Sequence, residues 1–305
     1  MSTTPYTEAW LPGFDGHQFF TRTWPAESPK AVTLYVHGFG DHIGRYDHIH
    51  VRWPQHGVTL FAYDLRGFGR TALDDAHRSP DASYGKTSRD LELADVEWWI
   101  EHVAKAYPGL PIFLMGYSAG GGLTLAFPTR THAPPASQTV AKLSGVIANA
   151  PLVHLSHPAA KFTRVLAKYL GMLIPNKTLE APMPEERFSR DPAAVELLKK
   201  DPWRRPYGTV RGLSDMVSQG EQLLDSAYQH WPKDLPLLIT HGMADEVNCP
   251  KGAEAFYNKL TIKDKKLVLY PDALHDLVNE IGDIPEQVLG ECFAFIEAHV
   301  PAQAA

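Results

Sequence analysis

Six short runs recur along the chain with helical stretches between them: Ala31 to Val36, Val58 to Tyr63, Pro111 to Met115, Leu143 to Ala148, Leu235 to Thr240 and Lys266 to Tyr270. Several are apolar without the period-two alternation of a half-solvated strand, so they read as strands buried on both faces. Strands of that kind alternating with helices imply an α/β protein, with a mostly parallel central sheet covered by helices on both faces. Lys86 to Ala106 reads as one covering helix, with Leu91, Leu93, Ala94, Trp98, Trp99 and Val103 near helical spacing. Pro285 to His299 reads as another. Its stripe is Val288, Leu289, Cys292, Phe293 and Ile296, which makes Cys292 a core residue.

The rhythm breaks after Ala148. Up to Leu235 no convincing strand appears, and prolines stand at 175, 182, 184, 192, 202 and 206. An inserted helical cap fits this stretch. The expected division is a core of residues 1–153 and 233–305, with 154–232 as the cap and a helical return to the core. The 305 residues, 44% of them hydrophobic, are enough for one large core and a small satellite. The closing Pro-Ala-Gln-Ala-Ala is expected to fray.

A net charge of −6 argues against a nucleic-acid partner, which would need a basic face. Only two cysteines occur, Cys249 and Cys292, too few for a disulfide framework, so a reducing compartment is expected. The N-terminus lacks the basic flank and apolar run of a signal peptide, and no stretch is apolar for long enough to span a bilayer. The expectation is a cytoplasmic protein, soluble or peripherally associated with membranes or lipid droplets. Without a secretion signal, the sequon at Asn176, Lys177 and Thr178 reads as a chance occurrence.

Gly116, Tyr117, Ser118, Ala119, Gly120 follows the strand Pro111 to Met115 and precedes a stretch that can form a helix. This is the setting of a nucleophile elbow. A serine between strand and helix takes a strained backbone so that its hydroxyl projects from the sheet edge, and glycines two positions to either side let neighbouring backbones pass. A serine hydroxyl is a poor nucleophile at neutral pH, and needs a base to take its proton and a carboxylate to orient that base. Asp245 follows the strand Leu235 to Thr240, and His275 follows the strand Lys266 to Tyr270. Both lie at carboxyl ends of strands, where open parallel sheets place their ligands. Glu246 is the nearest rival acid, while Asp272 and Asp276 sit too close in sequence to His275 and read as solvated loop charges.

An acyl-transfer intermediate also needs donors for its oxyanion. The amide of Ala119, just after the serine, is one, and the amide of Phe39 in the turn His37-Gly38-Phe39-Gly40 is the expected second. His37, His42, His48 and His50 invite a metal reading, but no cysteine or carboxylate completes a familiar ligand spacing. Gly67-Phe68-Gly69 lacks the third glycine and the helix start of a dinucleotide fingerprint, so no cofactor is expected.

From Lys161 onward, Phe162, Val165, Leu166, Tyr169, Leu170 and Leu173 mark one helical face while Arg164 and Lys168 lie off it. Such a basic amphipathic helix either packs on the core as an ordinary cap helix or touches a membrane or lipid droplet and admits an acyl chain.

These residues resemble the monoacylglycerol (monoglyceride) lipases of animals and fungi, within the serine-aminopeptidase-like hydrolases. His37-Gly38-Phe39-Gly40-Asp41-His42-Ile43-Gly44-Arg45-Tyr46 is similar to that family's oxyanion loop, and Tyr63-Asp64-Leu65-Arg66-Gly67-Phe68-Gly69 to the next strand end. Leu173-Ile174-Pro175-Asn176 and Ser189-Arg190-Asp191 resemble cap segments, while Gly242-Met243-Ala244-Asp245 and Ala273-Leu274-His275 match the acid and base loops. The resemblance implies an α/β-hydrolase fold and hydrolysis of a monoacylglycerol to glycerol and a fatty acid, with a hydrophobic tunnel under the cap and a polar glycerol end. Asp41 and Arg45 stand where the family has residues of that polar end; a surface ion pair is the plainer reading of the two. Leu170 and Leu173 would face the acyl chain. The family commonly has histidine before and methionine after the serine, where this chain has Tyr117 and Ala119, so Tyr117 is expected to alter the alcohol pocket. A lysophospholipase or general carboxylesterase would use the same three residues, and a non-catalytic member would hold an apolar ligand in their place.

Overall fold

The computed structural model describes residues 5–158 and 173–301. Five of the strand-like runs become strands in which at least five consecutive residues are buried, or nearly so, because helices close over both faces. They are β3 (Ala31–Val36), β4 (Val58–Tyr63), β5 (Ile112–Tyr117), β6 (Leu143–Asn149) and β9 (Leu237–Gly242). The sixth, β10 (Lys265–Tyr270), is only partly buried, as its place at the edge of the sheet requires. Sequence patterning passes over two strands, β1 (Thr7–Pro12) and β2 (Gln18–Trp24), which form an antiparallel hairpin at the opposite edge. The resulting eight-stranded order is β1-β2-β4-β3-β5-β6-β9-β10, parallel from β4 through β10. This is the α/β-hydrolase fold.

Alternation along each buried strand divides the core. On β5, Ile112 and Leu114 join the cluster under the helix Arg89–Ala106, whereas Phe113, Met115 and Tyr117 join the cluster under the helix Ile284–Ala298. Cys292 lies in the second cluster, as its place on the helical stripe requires. In the first, Trp99 is wholly buried, with its ring 5.5 Å from Phe19, 5.4 Å from Phe61 and 5.5 Å from Tyr63.

The stretch between β6 and β9 is not devoid of strands: β7 (Thr178–Glu180) and β8 (Tyr207–Thr209) pair antiparallel as a small separate sheet. Three residues each is too short for a pattern to register. The helix Pro192–Lys200 begins at Asp191, whose side chain accepts from the Ala193 amide, with proline at its first position. The helix Val210–Asp225 returns to the core. Its Gln219 side chain donates to the Gly122 carbonyl (2.6 Å), Leu223 enters the first cluster, and Gly220 lies so close to Val153 that a Cβ would meet the Val153 carbonyl oxygen at 2.1 Å.

Trp99→Ala removes the centre of the first cluster and is expected to lower the unfolding free energy by about 3–5 kcal/mol. Urea titration measures this, and a loss below about 1 kcal/mol would show that the neighbouring rings close the space.

Candidate active site

The elbow follows from β5 ending against a helix. Ser118 has φ 57° and ψ −121°, a backbone that L-residues avoid, and such strain costs on the order of 1–3 kcal/mol. It is held from several sides. The Ser118 amide donates to the Asn149 carbonyl (2.9 Å), and the Ser118 carbonyl accepts from Gly122 and Leu152 (both 2.9 Å). A Cβ on Gly116 would lie 2.4 Å from the Gly120 oxygen, and one on Gly120 would lie 2.3 Å from the oxygens of both Val36 and His37, so glycine is required at both positions.

His275 Nδ1 lies 2.7 Å from Asp245 Oδ2, and its Nε2 lies 2.9 Å from Ser118 Oγ. An ionised carboxylate only accepts, so Nδ1 carries the proton and Nε2 is left to accept from the serine hydroxyl. Asp245 is held at both oxygens: Oδ1 accepts from the amides of Val247 (2.7 Å) and Asn248 (2.9 Å), and Oδ2 also accepts from His241 Nε2 (3.0 Å). Burial alone would raise its pKa, but the facing His275 and His241 reverse that and hold the carboxyl well below the usual carboxylate range. Glu246 takes no part; it pairs with Arg187 at 3.2 Å. A hydrogen-bonded chain from carboxylate through imidazole to hydroxyl can activate that oxygen for attack on an acyl carbon.

The turn after β3 meets the serine directly. A Cβ on Gly38 would lie 3.1 Å from Ser118 Cβ and 3.5 Å from its Oγ. His37 fixes this turn rather than a metal: its Nδ1 donates to the Gly38 carbonyl (2.8 Å) and its Nε2 accepts from the Leu65 amide (2.8 Å). Burial lowers the His37 pKa and so favours that neutral ring. Phe39 follows Gly38, and Ala119 opens the elbow helix, where amides have no intrahelical acceptor. An apolar cavity runs beside these two residues, walled by Phe39, Leu65, Phe68, Leu123, Leu213 and Met216.

The structure also locates the other residues singled out in the sequence. Tyr117 lies away from the apolar cavity but beside the base. The alternation of β5 turns it to the opposite side of the sheet, where it is 4% exposed and its ring centre lies 5.0 Å from that of His275. Asp41 and Arg45 are no surface pair; Asp41 is buried, and Arg45 is largely covered, in a network with Tyr46 and Asp276. Asp276 is accordingly not a solvated loop charge, being 1% exposed, whereas Asp272 is exposed. Leu173 is 78% exposed, and Leu170 lies outside the described residues.

Two neighbours of the site escape sequence reading. His241, four residues before Asp245, shares its carboxylate, a contact foreshadowed by the spacing across the turn. Phe188 sets its ring 5.4 Å from that of His275, and its carbonyl accepts from the Asp276 amide (2.7 Å); no local pattern announces this. The insertion also reaches the turn after β3 through His42 Nε2 and Asp201 Oδ2, 2.7 Å apart.

The family described as serine aminopeptidase, S33, matches residues 27–282. The chain belongs to that family. The monoglyceride lipase of Mus musculus is 30% identical over 95% of this chain and 90% of its own length, and that of Saccharomyces cerevisiae is 29% identical over 99% and 96%. The crystal structure of a soluble variant of the Saccharomyces cerevisiae monoglyceride lipase, in complex with a substrate analog, superposes with a TM-score of 0.84 at 27% identity. It covers 99% of this chain and 100% of that one. As a member of this group the chain is a carboxylic ester hydrolase.

The lowered pKa of Asp245 has a consequence for acid stability. Its charge contributes fully above the unfolded-state value of about 4 and is lost as pH falls from there toward the lower folded value. The wild-type Tm should therefore fall more steeply below about pH 4 than that of Asp245→Asn, as followed by circular dichroism; parallel falls would contradict a strongly held carboxylate.

Proposed function

We propose that this chain hydrolyses monoacylglycerols to glycerol and a free fatty acid through an acyl-enzyme on Ser118. The observation that carries the reading is the unbroken chain Ser118 Oγ, His275 and Asp245, with the Gly38 turn against the nucleophile. His275 takes the serine proton as Oγ attacks the ester carbonyl, and Asp245 stabilises the imidazolium that forms. The amides of Phe39 and Ala119 receive the developing oxyanion. His275 then protonates the leaving glycerol oxygen, activates a water and returns the proton to Ser118 as the fatty acid departs.

The small apolar cavity walled by Phe39, Phe68, Leu123, Leu213 and Met216 marks the side on which the acyl chain is proposed to enter, by parting these side chains. Residues 154–232 are proposed as the cap, with the helix Val210–Asp225 as its return to the core formed by 1–153 and 233–305. The glycerol ester is taken from the names of the relatives.

For lipid contact the support is the exposure of the adjacent apolar residues Leu173 (78%) and Ile174 (46%). Among the described residues no helix is long and apolar enough to cross a membrane. A cytoplasmic enzyme that meets membranes or lipid droplets through this edge of the cap fits both facts.

Ser118→Ala should cut turnover at least about 10⁴-fold with the fold intact, since without the nucleophile only binding and the oxyanion donors remain. Fatty-acid release should favour monoacylglycerols over di- and triacylglycerols and lysophospholipids; preference for a lysophospholipid would transfer the assignment to that ester. Leu173→Asp with Ile174→Asp should weaken flotation with phosphatidylcholine vesicles while leaving hydrolysis of a soluble ester unchanged, and unaltered flotation would remove the lipid-contact reading.

A further inference from the structure

We propose that Arg45 and Asp276 are positioning residues, whose ion pair locks the loop carrying His275 to the turn carrying the Phe39 amide. The inference rests on the hydrolytic reading of Ser118 given above. The guanidinium stands between two carboxylates: Arg45 Nη1 donates to Asp41 Oδ2 (2.7 Å) and Nη2 donates to Asp276 Oδ2 (2.6 Å). Asp41 follows Phe39 by two residues, and Asp276 directly follows His275. One side chain thus spans the proposed oxyanion donor and the proposed base.

The clamp is rigid because it is buried. The side chains of Arg45, Asp41 and Asp276 are 11%, 5% and 1% exposed, and parting such a pair would leave charges uncompensated in a medium of low dielectric. Tyr46 donates its hydroxyl to Asp41 Oδ2 (2.6 Å), and Asn279 Nδ2 donates to Asp276 Oδ2 (3.0 Å), which fixes each end to its own loop. Burial would raise the Asp41 pKa, but the Arg45 guanidinium brings it below its usual value, so the carboxylate stays charged for the clamp.

The same geometry argues against a contact with the alcohol of the substrate. Asp41 Oδ1 already accepts from the His42 amide (2.8 Å) and Oδ2 from both Arg45 and Tyr46, so most of its acceptor capacity is spent on internal partners. Among the described residues, Asp276 Oδ1 is buried and accepts no hydrogen bond, an arrangement poor for stability alone. It suits a residue whose use is where it holds its neighbour.

The test uses Asp276→Asn, which keeps the shape and removes the charge, and Arg45→Lys, which keeps the charge but loses the fork that spans two carboxylates. Each variant is assayed with a monoacylglycerol and with the p-nitrophenyl ester of the same fatty acid, and rates are divided by active sites titrated with a fluorophosphonate probe. That normalisation removes any unfolded fraction. The expected result is a fall in kcat of roughly 10- to 100-fold on both esters with KM little changed, because misplacement of base against oxyanion donor affects every acyl substrate. A rise in KM for the monoacylglycerol alone, with the p-nitrophenyl ester unaffected, would overturn the proposal in favour of an alcohol contact. Unchanged kcat per titrated site on both esters would overturn it in favour of a purely structural pair. Failure of the wild-type protein to label at Ser118 would instead strike the hydrolytic reading, so the two failures are distinguishable.

Discussion

The carbonyls of Val36 and His37 press against Gly120 so closely that a Cβ there would touch both at 2.3 Å, and the arrangement of the site follows from that approach. It brings the end of β3 beside the start of the elbow helix. Gly38 then abuts Ser118, so the turn after β3 and the elbow after β5 meet at the serine, at the ends of two parallel strands whose spacing the sheet fixes. That approach is set by backbone packing alone, and the two glycines admit it because neither carries a side chain.

Around this backbone frame the buried charges are compensated locally. Asp245 accepts from two amides and two imidazoles, and His241 is held to it by an Nε2 that also faces the Asn248 carbonyl at 3.2 Å. Because both of those partners only accept, the His241 proton resides on Nε2. A carboxylate so engaged cannot swing away from His275, and the tautomer of that ring is fixed with it. His42 and Asp201 apply the same logic where the insertion meets the core. Burial disfavours the imidazolium, but Asp201 and the neighbouring carboxylates outweigh that and raise the His42 pKa, while burial of Asp201 is likewise outweighed by His42 and its pKa is lowered.

The parallel sheet was legible because strands such as Ala31–Val36 and Val58–Tyr63 are buried on both faces and have no polar alternation to blur them. β1 was not, since Thr7–Pro12 is mostly exposed at an edge and carries no apolar run. Chain order and strand ends located Ser118, Asp245 and His275, which the structure brings into one hydrogen-bonded chain. The direction of Tyr117 was available from its parity with Phe113 and Met115, but the motif drew attention to its position beside the serine instead. Contacts across long sequence separation left no local trace: Arg45 and Asp276 are 231 residues apart, and His42 and Asp201 are 159 apart. Such pairs depend on how loops meet after the sheet has formed.

The segment between β6 and β9 is tied to the loops of the site at several described points, and that bears on how such enzymes diversify. Phe188 and Asp201 reach the base loop and the turn after β3, Ser189 Oγ donates to the Asn279 carbonyl (2.6 Å), and Arg190 pairs with Glu280 (2.7 Å). The stretch 185–205 therefore behaves as part of the core scaffold despite lying within the insertion. A chimera that exchanged the whole insertion to borrow another specificity would strip a wall from its own base loop. One that kept 185–205, together with His154 to Ser156, which bond to the loop of Asp245, would retain both walls, so the exchangeable unit is smaller than the whole segment.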